Sequence, residues 1–160
     1  MIKKYLLIAS IFIIFFSIQS FAVVTPLRDE LPDLKRLSDY SIGVRRIVKA
    51  LKYESKNKYK KADKLYSEAL KFFLLANKKT PANPDVYFYL GFTSEKIKKT
   101  LDAEIYYLLG LEISPNDKKI NNFLGKLYFK NNKINKAKER LKVLETCECK
   151  EYNDLASIIR

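Results

Sequence analysis

The chain has 160 residues, the length of one domain with a core of its own. Its 31 Lys and Arg against 18 Asp and Glu give a net charge of +13, and it has no histidine. Without histidine there is no Ser–His or Cys–His nucleophile, and four glycines leave no phosphate-cradling loop, so the composition speaks for a binding protein rather than an enzyme, with no cofactor or metal.

Met1-Ile-Lys-Lys opens the chain, an uncharged run follows from Tyr5 to Ile18, and then comes Gln19-Ser20-Phe21-Ala22. A basic start, a short apolar run and small residues three before and one before a cut make a secretory signal peptide, cleaved after Ala22. The competing reading is an uncleaved anchor, but the run is short for a span of roughly 20 residues. No cysteine follows the cut directly, which argues against a lipid anchor, and no second long apolar run exists. The remaining chain has 29 basic and 18 acidic residues, a net +11.

Residues 23–41 hold Pro26, Pro32 and mixed charges and read as an extended lead-in, either a tether or a strap lying in a groove. Helices are expected from Ile42 to Lys56, Tyr59 to Lys79, Pro84 to Ile97, Leu101 to Ile113, Lys118 to Lys130, Asn135 to Thr146 and Glu151 to Ile159. Pro84 suits a first helical position, where its missing N–H costs nothing. Thr80-Pro-Ala-Asn-Pro84 and Ser114-Pro-Asn-Asp117 read as breaks. In the last helix, Tyr152, Leu155, Ile158 and Ile159 form the expected apolar stripe. The fold class is all-α.

Residues 84–117 set Tyr87, Leu90-Gly91, Ala103, Tyr107, Gly110 and Pro115 in one order, and residues 118–149 repeat it in phase with Leu124-Gly125, Tyr128, Ala137, Leu141 and Leu144. Asn121 departs from the pattern in the bulky aromatic slot. Ala50, Tyr53, Tyr59, Ala62, Tyr66 and Ala69 carry it in residues 43–83, where the closing proline comes late, at Pro81, and lengthens the second helix. This order and its 34-residue period resemble the tetratricopeptide repeat. The resemblance implies an α-solenoid of about three helical hairpins over residues 42–160, with residues 151–159 capping the last one. Asn57, Lys98 and Asn132 stand at the helix–helix corners, where a left-handed residue is required. Tyr89-Leu-Gly-Phe, Leu124-Gly-Lys-Leu-Tyr128 and Cys149-Lys-Glu-Tyr152-Asn-Asp-Leu155 resemble a group of small secreted tetratricopeptide proteins of alphaproteobacteria. That likeness and the short basic start point to the periplasm of a Gram-negative bacterium.

In such a stack the first helix of each hairpin lines a concave groove. The resemblance assigns to it Ile47, Leu51 and Glu54, then Phe88, Phe92, Glu95 and Lys96, then Asn122, Lys126, Phe129 and Lys130. This is a mixed apolar and cationic trough that suits a peptide or protein partner with apolar anchors and acidic neighbours. The blander reading is that Phe88 and Phe92 only pack between hairpins. Tyr89 and Phe123 stand where the family's carboxylate-clamping polar groups would be, so a C-terminal carboxylate is not the expected ligand. The alternative function is contact with an anionic envelope polymer or membrane surface through Lys56–Lys64 and Lys96–Lys99; nucleic acid is disfavoured by export. Cys147 and Cys149, the only cysteines, allow a disulfide, two packed thiols, or a redox or metal role. Two thiolates alone do not complete the usual zinc site.

Overall fold

The computed structural model describes residues 38–159. The expected signal segment and all but the last four residues of the expected lead-in lie outside the described residues. Among the described residues seven α-helices follow one another without a strand: α1 Asp39–Glu54, α2 Tyr59–Lys79, α3 Pro84–Lys96, α4 Thr100–Ile113, α5 Lys118–Lys130, α6 Ile134–Leu144 and α7 Lys150–Ile159. They pair as α1/α2, α3/α4 and α5/α6, each hairpin stacks on the next, and α7 packs on α5 and α6.

The first helix begins three residues before the expected Ile42. Ser38 caps it by accepting the Ser41 N–H, Asp39 sits in its first turn where an acidic group suits the helix dipole, and the added turn brings Tyr40 edge-on to Phe73 at 5.9 Å. Phe73 belongs to the late turns of α2, and it stacks flat on Tyr89 of α3 at 4.9 Å. The unusual length of α2 thus serves the contact between the first two hairpins. Asn83 and Asp117 cap α3 and α5 through their side-chain oxygens. The corners Asn57, Lys98 and Asn132 have φ of 56°, 64° and 58°. Ala82 and Glu148 also take positive φ, which nothing in the repeat pattern foretells. α6 ends at Leu144 rather than Thr146, because the chain tightens into a 3₁₀ turn at Glu145–Cys147. Cys147 and Cys149 are disulfide-bonded across Glu148, just before α7.

Two apolar cores result. The first joins Ile47, Ala50, Tyr66, Ala69 and Phe73 of hairpin one to Val86 and Leu90 of hairpin two. The second joins Phe88, Ala103 and Tyr107 of hairpin two to Ile120, Leu124, Leu127 and Tyr128 of hairpin three. Each core therefore spans one junction between hairpins. Tyr107 is fully buried against Gly91, where a Cβ would lie 2.5 Å from its ring. Asn121, the departure from the aromatic slot, is fully buried too: its amide donates to the carbonyls of Pro115 and Asp117 at 2.9 Å each, and its oxygen accepts from Arg140 at 3.3 Å. The bulk of an aromatic ring is replaced by a satisfied polar plug. In α7 the buried residues are Leu155 and Ala156, whereas Ile158, expected in the apolar stripe, is exposed.

Candidate functional site

The first helices of hairpins two and three, α3 and α5, and the terminal helix α7 together wall two adjoining clefts. The first, about 400 Å³, is lined by Phe92, Glu95, Lys96, Phe123, Lys126, Phe129, Lys130, Asp154 and Ile158. The second, about 470 Å³, is lined by Phe88, Tyr89, Lys119, Asn122, Phe123, Lys150, Glu151 and Asp154. Phe123 and Asp154 belong to both, so the two form one groove.

Its floor is aromatic. Phe123 lies edge-on to Phe88 at 5.1 Å and to Phe92 at 5.8 Å, and Phe92 meets Tyr66 edge-on at 6.1 Å. Helical spacing on α3 and α5 puts Phe88 with Phe92, and Phe123 with Lys126 and Lys130, on one side. Phe92, Phe123 and Phe129 are half-buried and leave apolar surface open to a ligand.

The charges on the walls are paired. Lys96 donates to both oxygens of Glu54 at 3.0 Å, Lys130 to Glu95 at 2.9 Å, and Lys126 to Asp154; Lys119 lies 3.8 Å from Asp85. The Tyr66 hydroxyl also donates to Glu54 at 2.6 Å. This hydrogen bond, followed by the bond and charge of Lys96, holds the Glu54 carboxyl below the usual carboxylate range against the opposing effect of burial. The Lys126 hydrogen bond lowers Asp154 in the same way. Burial and then the Glu54 hydrogen bond push the Tyr66 phenol up. The groove is apolar with paired charge, which corrects the cationic half of the expected mixed trough: all three lysines assigned to it from sequence each hold a carboxylate.

The assigned residues separate into two groups. Phe92, Lys96, Lys126, Phe129 and Lys130 come together around the first cleft. Ile47 is buried in the first core and lines neither cleft. Phe88 is only 6% exposed and anchors the second core, showing the groove no more than an edge. Asn122 is buried and donates to the Glu151 carbonyl at 2.5 Å, fixing α7 to α5. Leu51 is exposed but stands apart from both clefts. Tyr89 and Phe123, which the sequence put at the clamp slots but not among the partner contacts, line the groove, and sequence reasoning missed Lys119 and the α7 residues Asp154 and Ile158. α7 caps the last hairpin as expected, burying Leu155 and Ala156, and its other side also lines the groove, which the capping role alone did not signal. Among the described residues no three His, Cys, Asp or Glu side chains gather as a metal site would require.

No protein-family model and no curated protein matches the sequence. Solved structures do. The TPR2B domain of yeast Sti1, solved as a complex with pHsp70, is 15% identical over 73% of this chain and 92% of that chain, with a TM-score of 0.52. The first TPR of Spaghetti (RPAP3), bound to an HSP90 peptide, is 23% identical over 74% and 91% with a TM-score of 0.49. The second TPR domain of human RPAP3, in complex with an HSP70 peptide, is 18% identical over 76% and 98%, also at 0.49. With three stacked hairpins, corners in phase and the Sti1 likeness, the chain folds as a tetratricopeptide-repeat domain.

Proposed function

We propose that this domain holds a peptide or protein segment in the groove of α3, α5 and α7 and acts as an adaptor or assembly factor in the periplasm of a Gram-negative bacterium. The observation that carries the reading is the half-buried aromatic row Phe92, Phe123 and Phe129, open to solvent between charge pairs that already satisfy one another. A preformed apolar trough with few polar groups fits apolar anchors of a helix or an extended segment. The Sti1 domain was solved as a complex with pHsp70; partner binding is carried over here, that particular partner is not. Lys96, Lys126 and Lys130 each face a carboxylate of this chain, so an incoming carboxylate would compete for them. Export rests on the basic start, the apolar run and the Ser20-Phe-Ala22 cut.

The test is a crosslinking pull-down from an envelope extract, with the chain from Val23 onward, at low and high salt. A discrete protein retained at high salt, and lost on Phe123→Ala with Phe129→Ala while the helical circular dichroism is kept, supports the groove. A partner that survives the double change on a folded domain overturns it.

A further inference from the structure

Basic charge is unevenly spread over the hairpins. Residues 38–83 carry twelve Lys and Arg against four Asp and Glu, a net +8, whereas residues 84–159 carry thirteen against eleven, a net +2. Hairpin one thus holds most of the excess, and the repeat register says where it points. The left-handed corners at Asn57, Lys98 and Asn132 align the three hairpins at offsets of 41 and 34 residues. On that register Arg45 matches Val86 and Ile120, Lys49 matches Leu90 and Leu124, and Lys52 matches Thr93 and Leu127. In hairpins two and three every one of these slots is buried, and all but that of Thr93 are packed into the core shared with the preceding hairpin. In hairpin one, the same slots are cationic and exposed. They form a ridge along α1 at spacings of four and three residues, one face of the helix, with Lys56 in the turn just beyond its end. Between α1 and α2 the ridge borders a shallow cleft of about 360 Å³ lined by Arg46, Lys49, Tyr53, Lys61, Lys64, Leu65 and Glu68. Its only acid, Glu68, is held by Arg46 at 3.3 Å.

A face designed only for solvent would mix both signs. This one is nearly all positive, which also bars another hairpin or the apolar end of a second copy from stacking there. Apolar side chains stand among the cations. Val48, in the slot that Tyr89 and Phe123 fill in later hairpins, is 62% exposed, and Tyr59 just past the corner is 57% exposed. Cations on long stems around exposed Val and Tyr are the chemistry of a bilayer interface, where headgroups take the ammonium groups and the boundary layer takes the apolar ones. Hairpin one also lies nearest in sequence to the apolar run Tyr5–Ile18.

We propose that the end face of hairpin one, built on Arg45, Lys49, Lys52, Lys61 and Lys64 with Val48, docks the domain on an anionic phospholipid surface. This contact is separate from the groove and independent of what the groove holds.

The test is co-sedimentation of the chain from Val23 onward, which contains both cores whole, with phosphatidylcholine vesicles with and without phosphatidylglycerol. Binding is expected only to the doped vesicles and falls as salt rises. Replacing Arg45, Lys49, Lys52 and Lys64 by Gln should lower it about fivefold per cation, roughly a hundredfold or more in all. The same number of exposed cations removed elsewhere, Lys98, Lys118, Lys138 and Lys142 to Gln, should leave it nearly unchanged. Val48→Ser should weaken vesicle binding and leave heparin binding alone. An equal loss in both quadruple variants means net charge without a site and overturns the proposal. So does binding to undoped vesicles, or a face that takes heparin and ignores lipid. Phe129→Ala keeps vesicle binding, so failure of the groove reading and failure of this one are told apart.

Discussion

Lys96 holds both carboxylate oxygens of Glu54 at 3.0 Å across 42 residues of sequence, and so ties α3 to the end of α1. The Tyr66 hydroxyl from α2 completes the knot at 2.6 Å. Because these bonds lower the Glu54 pKa from 4.5, the folded chain gives up that proton more readily than the unfolded one. The stabilisation is therefore present above the unfolded value and is lost as pH falls through the lower folded value. Glu54→Gln should melt below the wild type at neutral pH, and the gap should close at acid pH below 4.5. Thermal melts of both across that range check it; a gap that persists at the acid end would mean the glutamate acts by packing rather than charge.

Gly91 and Gly125 occupy equivalent slots and face different neighbours. A Cβ on Gly91 would lie 2.5 Å from the ring of Tyr107, which is fully buried and has nowhere to move. A Cβ on Gly125 would meet the methyl ends of Leu155 on the terminal helix, which is buried too but ends in a branched side chain with two rotatable bonds rather than a rigid ring. Gly91→Ala should cost about 1–3 kcal/mol by overpacking, more than alanine's helix preference returns. Gly125→Ala should cost clearly less. Chemical denaturation of the two variants ranks them, and equal losses would contradict the assigned neighbours.

Lys98 takes φ 64° at a corner where its two counterparts are asparagines. A lysine there bears the left-handed penalty without asparagine's local hydrogen bonding. Lys98→Gly should raise stability by about 1 kcal/mol, and Asn132→Gly by less. A drop in melting temperature for the first would show that Lys98 makes a contact worth more than its strain.

Phe88 and Phe129 were both assigned to the groove by sequence, and the structure separates them. Phe88→Ala removes a ring at the centre of the second core, and about 3–5 kcal/mol of stability is expected to go with it. Phe129, half-buried on the groove wall, should tolerate alanine with a far smaller loss. A binding defect in a Phe88 variant would therefore report unfolding, which is why Phe123 and Phe129 are the informative groove positions.

Much of the fold was legible because repeats bury the same slots in turn. The spacing of Tyr87, Leu90-Gly91, Ala103 and Tyr107 recurs, so one hairpin predicts the next, and α2 and α5 appear at the bounds expected of them. The positive φ at Lys98 followed from phase alone, against the residue's own preference. Export, by contrast, is read from residues 1–22 and remains a proposal.

The groove was legible by halves. Helical period places Phe92, Lys96, Lys126, Phe129 and Lys130 on the open side of their helices. It does not say how far each side chain is covered by a neighbour, nor that Glu54, Glu95 and Asp154 reach the lysines. Those partners lie 42, 35 and 28 residues away along the chain. The sequence by itself determined the hairpins, their register and their corners, because helical period and glycine or proline placement are local properties. The tertiary structure alone decided that Phe88 and Asn122 are buried, that α7 is a wall of the groove, and that the cationic slots of α1 stand exposed. Burial and ion pairing depend on what the neighbouring hairpin presents, and no local window of sequence contains that information.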